Sequence, residues 1–203
     1  MPFYELTTLH TEIFGAGKAA DGLEAWIDAG AGTLRGAWFS DIGALNEVYL
    51  LREYDDADAM LAERERLIRA ADPFGCSDVL KSYDVQSYRP LDFMGAVPSG
   101  QLGPVYEIRT YKMKLNGLMP TMEKWQSALP DRDAYSPCIL AMYGIDGAPR
   151  LTQIWPYPTL EARSKARGQS VADGKWPPKG GPDWLDPDMR STIAMPMGFS
   201  PLT

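Results

Sequence analysis

Alternation of apolar and polar positions predicts a first strand over 3–9. Glycines at 15, 17 and 22 mark a turn region after it, and an apolar stripe at Leu23, Trp26 and Ile27 then predicts a helix. Residues 33–40 and 46–54 form two more strand patterns around Asp41-Ile42-Gly43, a hairpin-type connection. Asp55-Asp56 suits a helix start, because carboxylates near the first turn complement the macrodipole. Ala57, Met60, Leu61, Arg64, Leu67 and Ile68 share one face of that helix. A strand over 79–89 closes the series. The same order then returns: strand 105–111, helix 117–129, strands 138–145 and 150–156, helix 159–169 and strand 190–197. Asp146-Gly147 suits a type I′ turn, and a Pro/Gly/Trp-rich loop over 174–187 precedes the last strand.

The recurrence extends to the residues themselves. Phe3-Tyr4-Glu5-Leu6-Thr7-Thr8-Leu9 matches Val105-Tyr106-Glu107-Ile108-Arg109-Thr110-Tyr111, 102 positions on. Trp26 answers Trp125, and Val48–Tyr54 answers Leu151–Tyr157. Arg89-Pro90-Leu91 answers Ser200-Pro201-Leu202. Pro90 to Pro104, with Gly95, Pro98, Gly100 and Gly103, has linker composition. The chain therefore divides into a first repeat (1–92), a linker (93–104) and a second repeat (105–203). Each repeat reads as βαββαβ, a ferredoxin-like unit with helices on one sheet face only. Two such units can cover each other's open faces. The expected fold class is α+β: two tandem ferredoxin-like units packed as an internal dimeric α/β barrel or a back-to-back sandwich.

Composition narrows the chemistry. The 203 residues carry 20 Lys+Arg against 27 Asp+Glu, a net charge of −7. That balance disfavours nucleic acid and anionic membranes, which need cationic patches. No stretch approaches a membrane-spanning length and the N-terminus lacks a signal-peptide pattern, so the protein reads as cytoplasmic with no membrane insertion. One histidine (His10) and two cysteines (Cys76, Cys138) cannot supply the usual four zinc ligands, and the metal expectation is none. A haem with a histidine ligand would have to use His10, which ends the first strand and reads as a solvated or capping residue. No zinc and no haem are expected; an enzyme of this composition would be cofactor-independent or use a bound organic cofactor. Cys76 and Cys138, far apart and without paired spacing, read as free buried thiols. Gly15-Ala16-Gly17-Lys18-Ala19-Ala20 fits G-x-G-x-x-A, but a hairpin follows it instead of a parallel βαβ run, which argues against a dinucleotide site. Position 12 is Glu and position 19 Ala, which excludes a P-loop.

Tyr106-Glu107-Ile108-Arg109-Thr110-Tyr111 resembles the opening strand of NIPSNAP domains. The helix with Trp125, the strand ending at Tyr157, Leu160-Glu161-Ala162-Arg163, Asp183-Trp184 and the closing Phe199-Ser200-Pro201 resemble that family too. The likeness covers nearly all of the second repeat. It is weaker over the first, where Thr7 and Leu9 replace the arginine and the second tyrosine. It implies a ferredoxin-like fold of the dimeric α/β-barrel superfamily, which includes small monooxygenases and decarboxylase-like enzymes. It assigns no catalytic residues.

Glu107, Arg109 and Tyr111 lie two apart and share one strand face. If that face lined a barrel, they would form either a structural ion pair or a polar floor for an anionic or carbonyl-bearing ligand, with Arg109 as bidentate donor. Glu5 has no arginine two residues on, so only the second repeat suits an anion in this way. Arg163 and Arg167, one turn apart, read as a solvated helix face, with Arg64 as the first-repeat counterpart of Arg167. The candidate ligand-binding residues are Arg109, Tyr111, Tyr143, Trp155 and Trp184, with Glu107, Arg109 and Tyr111 as catalytic candidates. Trp176 and Trp184 make the 174–187 loop either a lid or a clasp. The expected function is binding of a small apolar or anionic molecule in an α/β-barrel pocket, extending to a cofactor-independent monooxygenase- or isomerase-like enzyme. The alternative is a non-catalytic module for oligomerisation, as a homo-oligomer, or for protein docking.

Overall fold

A computed structural model describes residues 1–203. Its first half runs β1 (Phe3–Thr11), α1 (Gly15–Asp28), β2 (Thr33–Ile42), β3 (Glu47–Tyr54), α2 (Ala57–Arg69) and β4 (Leu80–Pro90). Its second half runs β5 (Val105–Met113), α3 (Leu118–Asp133), β6 (Leu140–Gly144), β7 (Arg150–Tyr157), α4 (Leu160–Ala172) and β8 (Leu185–Pro196). Both halves have the predicted βαββαβ order. All eight strands join one closed antiparallel barrel, in the order β1-β3-β2-β8-β5-β7-β6-β4. Each half contributes four neighbouring strands. The halves meet at two seams, β2 with β8 and β4 with β6, so no sheet edge is left open.

Period two along the strands separates two environments. Tyr4, Leu6, Trp38, Tyr49, Leu51, Tyr88, Tyr106, Ile108 and Ile154 fill the barrel interior. The outward set packs under helices as two satellite cores, one per half. Leu9, Leu23, Leu50, Leu67 and Phe74 belong to the first, and Met122, Trp125, Leu151 and Trp155 to the second. Burying an aliphatic or aromatic side chain of this kind contributes about 1.5–3 kcal/mol. The barrel is thus a packed core, and any site must lie in the sheet–helix layers or at the rims.

Three local expectations need correction. The supposed turn at 15–22 is already α1, which begins at Gly15. Gly22 lies in that helix because the backbone of Gly75 approaches it so closely that a Cβ would sit 1.9 Å from the Gly75 carbonyl oxygen. Helix α4 runs on to Ala172, and β8 starts at Leu185, paired with Met113 across a bulge. The loop before β8 is a clasp: Trp176 packs edge-on against Trp125 at 4.9 Å and Trp155 at 6.1 Å. Both cysteines are buried and free. His10 faces two carboxylates, Glu47 and Asp84, at 3.2 Å each. No helix is long and apolar enough to cross a membrane.

Candidate functional site

On β5, Tyr106 and Ile108 take the barrel interior, so alternation turns Glu107, Arg109 and Tyr111 outward. This corrects the picture of a barrel-lining polar face: the trio lies in the layer between the sheet and α4. The helix brings the partners. Arg163 Nη2 donates to Glu107 Oε1 at 2.5 Å, and Arg167 Nη1 stands 3.6 Å from Oε2. Arg109 also donates to Glu107 from its own strand, and Ser191 of β8 donates at 2.7 Å. Arg163 and Arg167 are therefore not a solvated face. They close over a carboxylate more than fifty positions away in sequence.

The electrostatics follow from burial and charge. Burial works to raise the Glu107 carboxyl, but the Arg163 hydrogen bond, the Arg109 charge, the Ser191 hydroxyl and Arg167 prevail and hold it at about 2. Arg167 is lowered instead, by burial first and then by the like charge of Arg109. Three arginines face one carboxylate here, and no second acidic side chain pairs with any of them. Several polar atoms in this half lack a hydrogen-bond partner: Glu107 Oε2, Arg163 Nε, Gln153 Nε2 and Thr121 Oγ1. Gln153 is 2% exposed and sits directly opposite Arg109 on β7. Each unsatisfied buried group costs about 1–3 kcal/mol; a ligand oxygen would satisfy the Arg163 Nε and Gln153 Nε2 donors, whereas the Glu107 Oε2 acceptor needs a donor such as water.

The first half builds the same carboxylate position differently. Glu5 accepts from Arg52 at 2.6 Å and from Arg64 at 2.9 Å. Arg52 also reaches Glu63 at 2.7 Å, and Glu63 binds Arg66. Arg64 further donates to Ser87 and stands 3.7 Å from Asp146, a residue of the second half's β6–β7 hairpin that also binds Arg150. That cluster is closed by its own counter-charges. Its inward helix positions, Met60, Glu63 and Leu67, are buried, whereas on α4 only Ser170 is.

Of the other candidates, Trp155 adjoins Glu107 across the β5–β7 pair but is enclosed by Trp125, Trp176 and the Arg132 guanidinium. Tyr143 lies two strands from Tyr111, with Leu151 between them. Trp184 is in a short 3₁₀ turn whose carbonyl accepts from Lys114, away from the arginines. The arrangement thus unites Glu107, Arg109 and Tyr111 and leaves the three other aromatics in the walls. A separate open cleft of about 410 Å³ at the barrel end where β1 starts is lined by Tyr4, Glu53, Asp55 and Asp92 and does not touch the cluster. Chemically, the arginine group can hold a carboxylate or stabilise an oxyanion. Tyr111 accepts from Arg109 Nε, which leaves its own hydroxyl proton free to be donated.

A family model described as NIPSNAP matches residues 4–93 and again 106–201. The chain belongs to the NIPSNAP family. Both NIPSNAP segments include the buried strand carboxylate, Glu5 in one and Glu107 in the other. No curated protein matches the chain. Among solved structures, it is similar to a candidate monooxygenase from Lactobacillus acidophilus NCFM, at 14% identity and TM-score 0.66, over 96% of this chain and 93% of that one. It is also similar to an anthrone oxidase-like protein, at 10% identity and TM-score 0.68, over 98% and 93%. A NIPSNAP family protein of unknown function from Agrobacterium tumefaciens aligns at 21% identity and TM-score 0.45, over 50% of this chain and 95% of that one. The two full-length likenesses show the fold, a dimeric α/β barrel made within one chain.

Proposed function

We propose that this NIPSNAP chain binds a small organic anion in the layer between α4 and the β5–β8 sheet, at Arg109, Arg167 and Tyr111. The observation that carries the reading is the charge count: three arginines meet one carboxylate, while the equivalent cluster of the first half has its own second carboxylate. Arg167 is the docking group, since it is 34% exposed and its contact to Glu107 is loose. Arg109 and Tyr111 extend the donor row toward the open end of β5. Glu107 is a positioning group. A carboxylate held at about 2 is a weak base near neutral pH. Any proton transfer therefore falls to Tyr111 or to the substrate itself, and the arginines would act as oxyanion stabilisers without a cofactor.

Titration of the full chain with benzoate, followed by calorimetry, tests this. One ligand should bind per chain, and Arg167→Ala should weaken binding at least tenfold while the thermal midpoint moves little. Equal affinity in the two proteins, or two equivalent sites per chain, would discard the reading.

A further inference from the structure

The row of outward side chains through Glu107 continues across the next two strands on one side. It passes from Glu107 to Ile193 on β8 and on to Ile42 on β2. The matching row of the first half passes from Glu5 to Ser87 on β4, and the next side chain is Asp146, which accepts from the Ser87 N–H at 2.8 Å. One step along the seams, Phe39 pairs with Met195 where Tyr143 pairs with Arg89. Position for position, the β4–β6 seam is polar and the β2–β8 seam apolar.

An adhesive role for the apolar seam would bury its side chains. Ile42 instead remains 51% exposed and Phe39 38%, and Met189, beside Tyr111 on β8, is 46% exposed. Met189 lies beside Tyr111, and Ile42 lies in the Glu107 row two strands from β5, so the exposed apolar groups share one sheet face with the surplus arginines of a chain whose net charge is −7. A cationic end continuous with an apolar strip complements one class of molecule. Ile42, Ile193, Phe39 and Met195 offer no side-chain donor, so a ligand whose far end is itself polar would find no partner there.

We infer that the anion held at Arg109 and Arg167 is an amphiphilic monocarboxylate whose apolar tail lies along Ile193, Ile42 and Phe39 on the β2–β8 seam. This rests on the anion-binding reading above and specifies its ligand class. The carboxylate meets the arginines, and the tail passes over the buried Ile193 to cover Ile42 and Phe39, which the fold leaves in water. The first half cannot do the same, because Asp146 and Ser87 occupy the corresponding strip and already engage Arg64.

The test is a chain-length series on the full protein: acetate, hexanoate, octanoate and decanoate, each below its micellar range, with inorganic phosphate as a polar control. Affinity should rise about fourfold per buried methylene before levelling off. Ile42→Ser, a change at a half-exposed site, should flatten that rise and leave acetate binding as it was. A flat series in the native protein, with binding that still depends on Arg167, overturns the tail assignment and leaves the anion site standing. Phosphate binding more tightly than every carboxylate overturns it as well. Absence of binding by all five ligands removes both readings. The slope in the native protein is independent of how well the Ile42→Ser variant folds.

Discussion

Glu5 and Glu107 hold the same place in two copies of one fold, yet their surroundings diverge. Around Glu5 the partners come from β3, α2 and the opposite half's hairpin, and each arginine has a carboxylate of its own or shares one. Around Glu107 the polar neighbours have moved one row along the strand. Gln153, Arg109 and Ser191 stand where the first half has Leu50, Thr7 and Val85. The carboxylate anchors the C-terminal helix of its half to the sheet in both cases. Only the second copy leaves cationic donors over. An ion cluster kept for packing and one suited to a ligand can share their central residue, and the counter-charges around it tell them apart.

Substitutions can break this contrast. Arg52 is 2% exposed and bridges Glu5 and Glu63, so Arg52→Met removes the shared buried counter-charge and leaves Glu5 to Arg64 and Glu63 to Arg66 alone. Urea unfolding should show a loss of about 3–5 kcal/mol. Arg167→Met should cost less than about 1 kcal/mol, because that arginine is a third exposed and loosely paired. Equal losses would mean that the second cluster is as structural as the first.

A second contrast concerns the segment before each closing strand. In the first half, Phe74 is fully buried against Trp26 and Tyr83. In the second, the half-buried Trp176 packs on Trp125 and Trp155. Phe74→Ala should lose about 3–5 kcal/mol and Trp176→Ala about 2 kcal/mol, measured in the same way. A negligible loss for Trp176→Ala would return that loop to the role of a lid.

A further effect is in acid. Glu107 is held at about 2, well under the usual carboxylate value. A depressed carboxyl contributes stability that is present above about pH 4.5 and lost as pH falls toward 2. The contribution is on the order of 3 kcal/mol. Glu107→Gln should remove that share of the acid dependence in denaturation curves taken between pH 2 and 5. An unchanged acid limb would show that the second cluster does not hold its carboxylate as described.

Much of the architecture was legible from residue order. The internal repeat stood out because Tyr4-Glu5 and Tyr106-Glu107 recur with their helices and hairpins, and a ferredoxin-like unit needs its second face covered. Grouping Glu107, Arg109 and Tyr111 needed only the two-residue period of a strand. Which side they face is not legible in the sequence, because Tyr106 also carries a polar atom and neither set is plainly interior. Arg163 and Arg167 read as solvated in the sequence because their partner lies over fifty positions earlier, beyond any local pattern. Arg52 and Asp146 gave no signal at all, since their roles exist only once strands from distant segments are adjacent. The early start of α1 is masked by its three glycines, of which Gly22 serves a close backbone approach and not a turn.

Because the barrel closes between halves, cutting the connection at residues 93–104 would leave each fragment with two bare strands, β2 and β4 or β6 and β8. Fragments of that kind satisfy their exposed amides by pairing with one another or with copies of themselves. Tethering makes correct closure a first-order event that dilution cannot weaken, and it spares each copy from having to match itself.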